Sequence, residues 1–136
     1  LVSEQINFRY EIEEGTTVRL GFRIRKPGKL TKGFMHFPDG CVSAVLVRML
    51  ISSKHAGGIR QVCPVGQNFI ALNDSEWEFT LDEWVVKEDV ILVDMENQGQ
   101  EPHQISVIIT RWSDVPTDSE LAAKEVIDKL KRSRTQ

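Results

Sequence analysis

The sequence predicts an all-β fold, an antiparallel β-sandwich of jelly-roll type with about eight strands, followed by one C-terminal α-helix. Three observations carry that expectation. Apolar and polar residues alternate with a period of two over most of the chain. The alternating runs are short and bounded by glycine, proline, asparagine and aspartate. The period changes to that of a helix only after Pro116. The expected division is a sandwich domain over 1–114 and a helix with a basic tail over 115–136.

Ile6, Phe8, Tyr10 and Ile12 alternate with Asn7, Arg9 and Glu11. After the turn signal Glu14-Gly15, Val18, Leu20, Phe22 and Ile24 alternate with Arg19, Gly21, Arg23 and Arg25. Two half-buried strands joined by a tight turn give this pattern. Lys26-Pro27-Gly28-Lys29 is the next turn, since proline presets one turn residue and glycine tolerates a positive φ at the following one. A shorter strand, Leu30 to Phe37, ends at Pro38-Asp39-Gly40. Val42 to Ile51 is apolar at nearly every position, which predicts a strand buried on both sides. Ile59 to Cys63 follows the loop His55-Ala56-Gly57-Gly58. Trp77, Phe79 and Leu81 then alternate with Glu76, Glu78 and Thr80, and Val90 to Met95 and Ile105 to Trp112 complete the strands. Asp82 with Glu83, and Glu88 with Asp89, are read as turn residues.

Thr117-Asp118-Ser119-Glu120 matches a capping box, in which the hydroxyl and the carboxylate satisfy unpaired amides at a helix start. The helix is expected from about Asp118 to Arg132, with Ala123, Val126, Ile127 and Leu130 forming one apolar stripe. One stripe serves one docking surface, either the sandwich edge or a neighbouring subunit.

With 136 residues, 40% hydrophobic and 27% charged, the chain is neither a disordered tail nor a collagen-like repeat. No apolar run approaches the roughly 20 residues of a membrane-spanning helix, and Leu1 to Ile12 has no basic stretch followed by an apolar one, so no signal peptide is expected. The expectation is a soluble chain made in the cytoplasm, with a virion among its settings and no membrane partner. Cys41 and Cys63 stand without a CxxC or a histidine at metal-ligand spacing, which suits free thiols.

The sequence offers little catalytic chemistry. His36, His55 and His103 lack HxH, HxxH or HxxxH spacing, so no metal site and no cofactor are expected. No GxSxG elbow, P-loop or GxGxxG occurs. A Cys63–His103 nucleophilic pair would require two distant strands to meet, and Cys63 before Pro64 reads as a buried, inert thiol. The carboxylates between Asp74 and Glu96 read as the solvated face of an amphipathic strand rather than an acid–base pair.

Gly58, Pro64, Val65, Gly66, Phe69 and Asn73 are spaced in a way that resembles the second motif of the cupins, a jelly-roll family. Phe69 stands where that family has a metal-binding histidine, and the first motif has no counterpart. The resemblance spans about 16 residues. It implies a degenerate cupin-like jelly roll without metal chemistry, and carries over no active-site residue.

The charge layout is the most informative feature. Although the net charge is −3, residues 19–60 hold nine bases and one acid, whereas residues 61–103 hold one base and ten acids. Two readings compete. Basic and acidic strands could pair across a sheet, each pair contributing a few tenths of a kcal/mol to about 1 kcal/mol. Alternatively, the blocks occupy different faces and steer head-to-tail association of copies. The second predicts a non-enzymatic structural protein that assembles with itself or docks onto a larger particle, such as a virion decoration or a head or tail accessory protein. Its expected interface residues are Arg19, Arg23, Arg25, Asp82, Glu83, Val126 and Leu130. The alternative is a ligand- or carbohydrate-binding sandwich whose exposed members of Trp77, Trp84 and Trp112 stack on sugar rings, although tryptophans more often supply buried area. Single-stranded nucleic-acid binding by the early arginines and aromatics is disfavoured, because Phe22 falls on the core side of its strand and the acidic half repels phosphate.

Overall fold

The computed structural model describes residues 2–54 and 57–113. The expected C-terminal helix, with Val126 and Leu130, lies outside the described residues, as does His55. Eight strands form: β1 (Val2–Ile12), β2 (Thr17–Arg23), β3 (Gly28–Phe37), β4 (Val45–Ser53), β5 (Gly58–Cys63), β6 (Ser75–Val85), β7 (Val90–Asn97) and β8 (His103–Ser113). They build two four-stranded sheets, ordered β1-β8-β3-β6 (sheet A) and β2-β7-β4-β5 (sheet B), and every neighbouring pair is antiparallel. Only β4 and β5 are consecutive strands within one sheet; the other connections cross between layers, which is the double Greek-key path of a jelly roll.

The alternation places one side of each strand between the sheets. Ile6, Leu30, Met35, Phe37 and the odd-numbered Ile105, Val107 and Ile109 come from sheet A. Val45, Val47, Met49, Ile51, Ile91, Val93 and Met95 come from sheet B, and nearly all of them are sealed from solvent. Gly33 is required for close packing in this layer, because a Cβ there would lie 2.6 Å from Phe79 Cζ and 2.9 Å from the Ile108 carbonyl oxygen.

Two sequence expectations need correction. The strand read from Val42 begins at Val45, since Val42 and Ser43 take positive φ values of 45° and 60° in the turn before it. That strand is also sealed on its inner side only: Leu46 and Arg48 are half-buried on the outer side, and Leu50 alone there is buried. Asp82 and Glu83 do not form a turn. They continue β6 to Val85, on opposite faces of it, next to an irregularity in register between Leu30 and Lys32 of β3.

The ends of the sandwich are fixed by polar groups turned inward. Asn97, 1% exposed, donates from Nδ2 to the carbonyls of Ile12 (3.1 Å) and Glu101 (2.8 Å) and accepts the Gly99 amide (2.9 Å). At the other end, buried Arg111 donates to the carbonyls of Lys26 (2.9 Å) and Pro27 (3.3 Å) and to the Glu4 carboxylate. A buried guanidinium is tolerated only with such partners.

Candidate functional site

Cys41 and Cys63 are buried free thiols. Burial raises the Cys41 thiol above its ordinary range and pushes Cys63 up to about 12, so both are protonated, not nucleophilic, at neutral pH. Among the described residues no three His, Cys, Asp or Glu side chains are grouped to hold a metal ion. Of the residues of the cupin-like spacing, Asn73 accepts the amides of Gly40 (3.0 Å) and Val42 (2.9 Å) at Oδ1, and the Phe69 ring lies 4.9 Å from the Arg48 guanidinium.

The charge blocks meet within the subunit, and this overturns their expected separation onto different faces. In sheet B, register places Arg19 of β2 and Arg48 of β4 on either side of Asp94 of β7. Arg19 Nε and Nη2 donate to the two Asp94 oxygens at 2.6 and 2.9 Å, and Arg48 Nε donates at 2.9 Å. The bonds from Arg19 hold the Asp94 carboxyl below its usual range; burial opposes this, and Arg48 reinforces it. Lys29 meets Asp82 at 2.6 Å, Arg60 meets Glu83 at 2.5 Å, and Arg23 approaches Glu88 at 3.8 Å. The physical reason is the crossing connectivity: it lays mid-chain β6 and β7 beside early β3, β2 and β4, so opposite blocks become cross-strand neighbours.

Among the described residues, the expected interface residues lie at several places. Arg19 and Arg23 share the outer face of sheet B, Asp82 lies on the outer face of sheet A, and Glu83 points toward Arg60 between the edge strands of the two sheets. Arg25 is exposed in the turn after β2.

Two outer surfaces remain that carry more than charge. On sheet B, Val90 and Leu92 of β7, Leu50 of β4 and Ile59 of β5 form an aliphatic stripe across three adjacent strands, and the Arg19–Asp94–Arg48 rung sets Leu46 apart from it. A Cβ added at Gly21 would meet Val90 Cγ1 at 3.4 Å and Leu92 Cδ2 at 3.5 Å, which fixes those side chains on the outer face beside bare backbone. Ile59 is 54% exposed. The arginine-flanked Asp94 adjoins the stripe.

On sheet A, Trp112, Lys29 and Trp84 form a single cross-strand rung over β8, β3 and β6. Trp84 is 69% and Trp112 40% exposed, so core packing is not their fate. Trp77 instead faces the partly buried inner side, its ring 5.3 Å from that of Phe79. The signal was present in the sequence: Trp84 is in phase with Glu76, Glu78 and Asp82, and Trp112 with Gln104 and Ser106, all outward positions. Lys29 Nζ lies 5.4 Å from the Trp84 ring centroid, within reach of a cation–π contact.

No protein-family model matches the chain, and no curated protein does. Among solved structures, the mitogen from Yersinia pseudotuberculosis is similar over 87% of this chain and 93% of its own, at 12% identity and a TM-score of 0.50. The Bacillus endospore appendage pilus protein aligns over 81% of this chain and 86% of its own, at 14% identity and a TM-score of 0.43. A chain from the infectious bursal disease virus Gx strain structure aligns over 81% of this chain and 32% of its own, at 8% identity and a TM-score of 0.42. Identities this low speak to the fold alone, and the mitogen is the comparison that bears on it: the chain is an antiparallel jelly-roll β-sandwich.

Proposed function

We propose that the chain is a non-enzymatic structural module that associates with copies of itself or docks onto a larger protein assembly through the outer face of sheet B. The observation supporting this is the aliphatic stripe of Leu50, Val90, Leu92 and Ile59, in which Leu50 is buried, Val90 and Leu92 are half-buried and Ile59 is open to solvent. The outward side of an antiparallel sheet facing water is ordinarily polar, and contiguous apolar patches on monomers mark contact sites. Arg19 and Arg23 border the stripe, as a polar rim borders the apolar centre of an interface. The finer form of this reading is a virion decoration or a head or tail accessory protein, in keeping with the use of double-sheet jelly rolls in capsids. Val126 and Leu130 are proposed to contribute to the same association.

Because Arg19, Arg23, Lys29, Arg48 and Arg60 already pair with mid-chain acids within the subunit, the contact is driven by apolar burial rather than complementary fields. Light scattering over a range of protein concentrations at low and high salt tests this. Oligomers that persist in 1 M salt are expected, since salt screens surface charge pairs and not apolar burial. A monomer under every condition, together with failure to bind any purified particle, overturns the proposal.

A further inference from the structure

The Trp84–Lys29–Trp112 rung has a chemistry different from that of the aliphatic stripe and lies on the opposite layer. Two exposed indoles flank a lysine one strand from each, so their strand positions are about 9.5 Å apart, twice the usual interstrand spacing. That distance is comparable to one disaccharide repeat of an extended polysaccharide. The charge between the rings is neutralised, as Lys29 Nζ bonds Asp82 Oδ1 at 2.6 Å. The platform therefore attracts neither a polyanion nor a polycation, while offering both a donor and an acceptor to hydroxyl groups.

The next rung of the same face reads Gln5, Thr110, Lys32 and Thr80. These residues border a cleft of about 930 Å³ at the β6 edge, whose further wall comes from the inner-side Trp77 and Phe79 and from Val62, Pro64 and Gln67 at the end of β5 and after it. This volume is within the usual range for ligand pockets, roughly 300–1,000 Å³. Flat aromatic faces beside a row of amide, hydroxyl, ammonium and carboxylate groups suit a ligand that has apolar C–H faces and hydroxyl edges.

From this arrangement we infer that the outer face of sheet A binds a neutral polysaccharide chain. Pyranose rings stack on Trp84 and Trp112, and the ring hydroxyls bond Lys29, Asp82 and the exposed Gln5, Lys32 and Thr80 of the next rung. The site is separate from the sheet B stripe, so either assignment can fail without the other.

Native-gel retardation of the purified protein in β-1,4-glucan, xylan, galactomannan and dextran is the test, with fluorescence titration using a β-1,4-linked glucohexaose. Retardation by at least one of the β-1,4-linked polymers is expected, with affinity reduced at least tenfold in Trp84→Ala and in Trp112→Ala. Both rings are on the surface, and unchanged melting of each variant confirms that folding is not at issue. Migration unaffected by all four polymers overturns the inference. Retardation that both variants retain does so too, as does self-association of the protein that is lost in Trp84→Ala, which would assign the rung to a protein contact.

Discussion

The two sheets handle buried charge in opposite ways, and the contrast explains their different outer faces. Sheet A turns its buried charge inward: Arg111, 6% exposed, reaches across the end of the sandwich to the carbonyls of Lys26 and Pro27 and to Glu4. Its outer face carries two tryptophans, the Lys29–Asp82 pair and a mixture of neutral and charged side chains that includes Lys32 and Glu78. Sheet B turns its buried charge outward: Asp94, 7% exposed, lies on the outer face between two arginines and beside aliphatic side chains. A charge drawn into the core locks a sheet's end, whereas one embedded in a face adds polar fixation to an apolar surface. The lesson is that charge segregation along a chain does not predict segregation in space when the connections cross between layers.

Breaking the inward anchor is expected to have the largest effect. Arg111→Leu leaves two carbonyls and the Glu4 carboxylate without their partner, and should cost about 3 kcal/mol. Chemical denaturation reads this loss directly. It should exceed the loss from Asp94→Ala, about 2 kcal/mol, because Arg19 and Arg48 retain partial access to water when their carboxylate is removed.

The same carboxylate sets a pH dependence. The Asp94 pKa is depressed in the folded state, so its contribution is complete above the ordinary carboxylate range and is lost as the pH falls through that range toward the depressed value. Acid titration of stability should therefore show a loss below about pH 4 that is smaller in Asp94→Asn. An identical acid limb in the variant would remove Asp94 from this role.

The smallest expected effect concerns the turn before β4. Val42 is β-branched at φ 45° and 72% exposed, a conformation that asparagine adopts at lower cost. Val42→Asn should raise stability by roughly 0.5–1 kcal/mol. A fall in melting temperature would show that this turn is held by side-chain packing, contrary to its exposure.

Much of the fold was legible because half-buried strands impose a period of two, and runs such as Ile6 to Ile12 and Val18 to Ile24 have no helical alternative. Pairing was not legible, since Arg19 and Asp94 are 75 residues apart and nothing local sets their register. The turn assigned to Asp82 and Glu83 failed for a related reason: two adjacent acids suggest solvent, but Glu83 is accommodated on the inner side by Arg60 of the other sheet. The tryptophan rung was only half legible. Phase along each strand gives the outward direction of Trp84 and Trp112, whereas their alignment through Lys29 depends on β3 lying between β6 and β8. The apolar run of β4 shows Leu50 of the aliphatic stripe, whereas Val90, Leu92 and Ile59 join it only through a register that nothing local sets.

Sedimentation velocity of the wild-type protein and Ile59→Asp at matched concentrations tests the contact assignment most directly. Ile59 is mostly exposed, so a charge there should change stability by less than about 0.5 kcal/mol. The wild-type protein should sediment as a concentration-dependent oligomer in high salt and the variant as a monomer with the same melting temperature. A wild-type monomer, or an oligomer that the variant leaves intact, would contradict the role given to the outer face of sheet B.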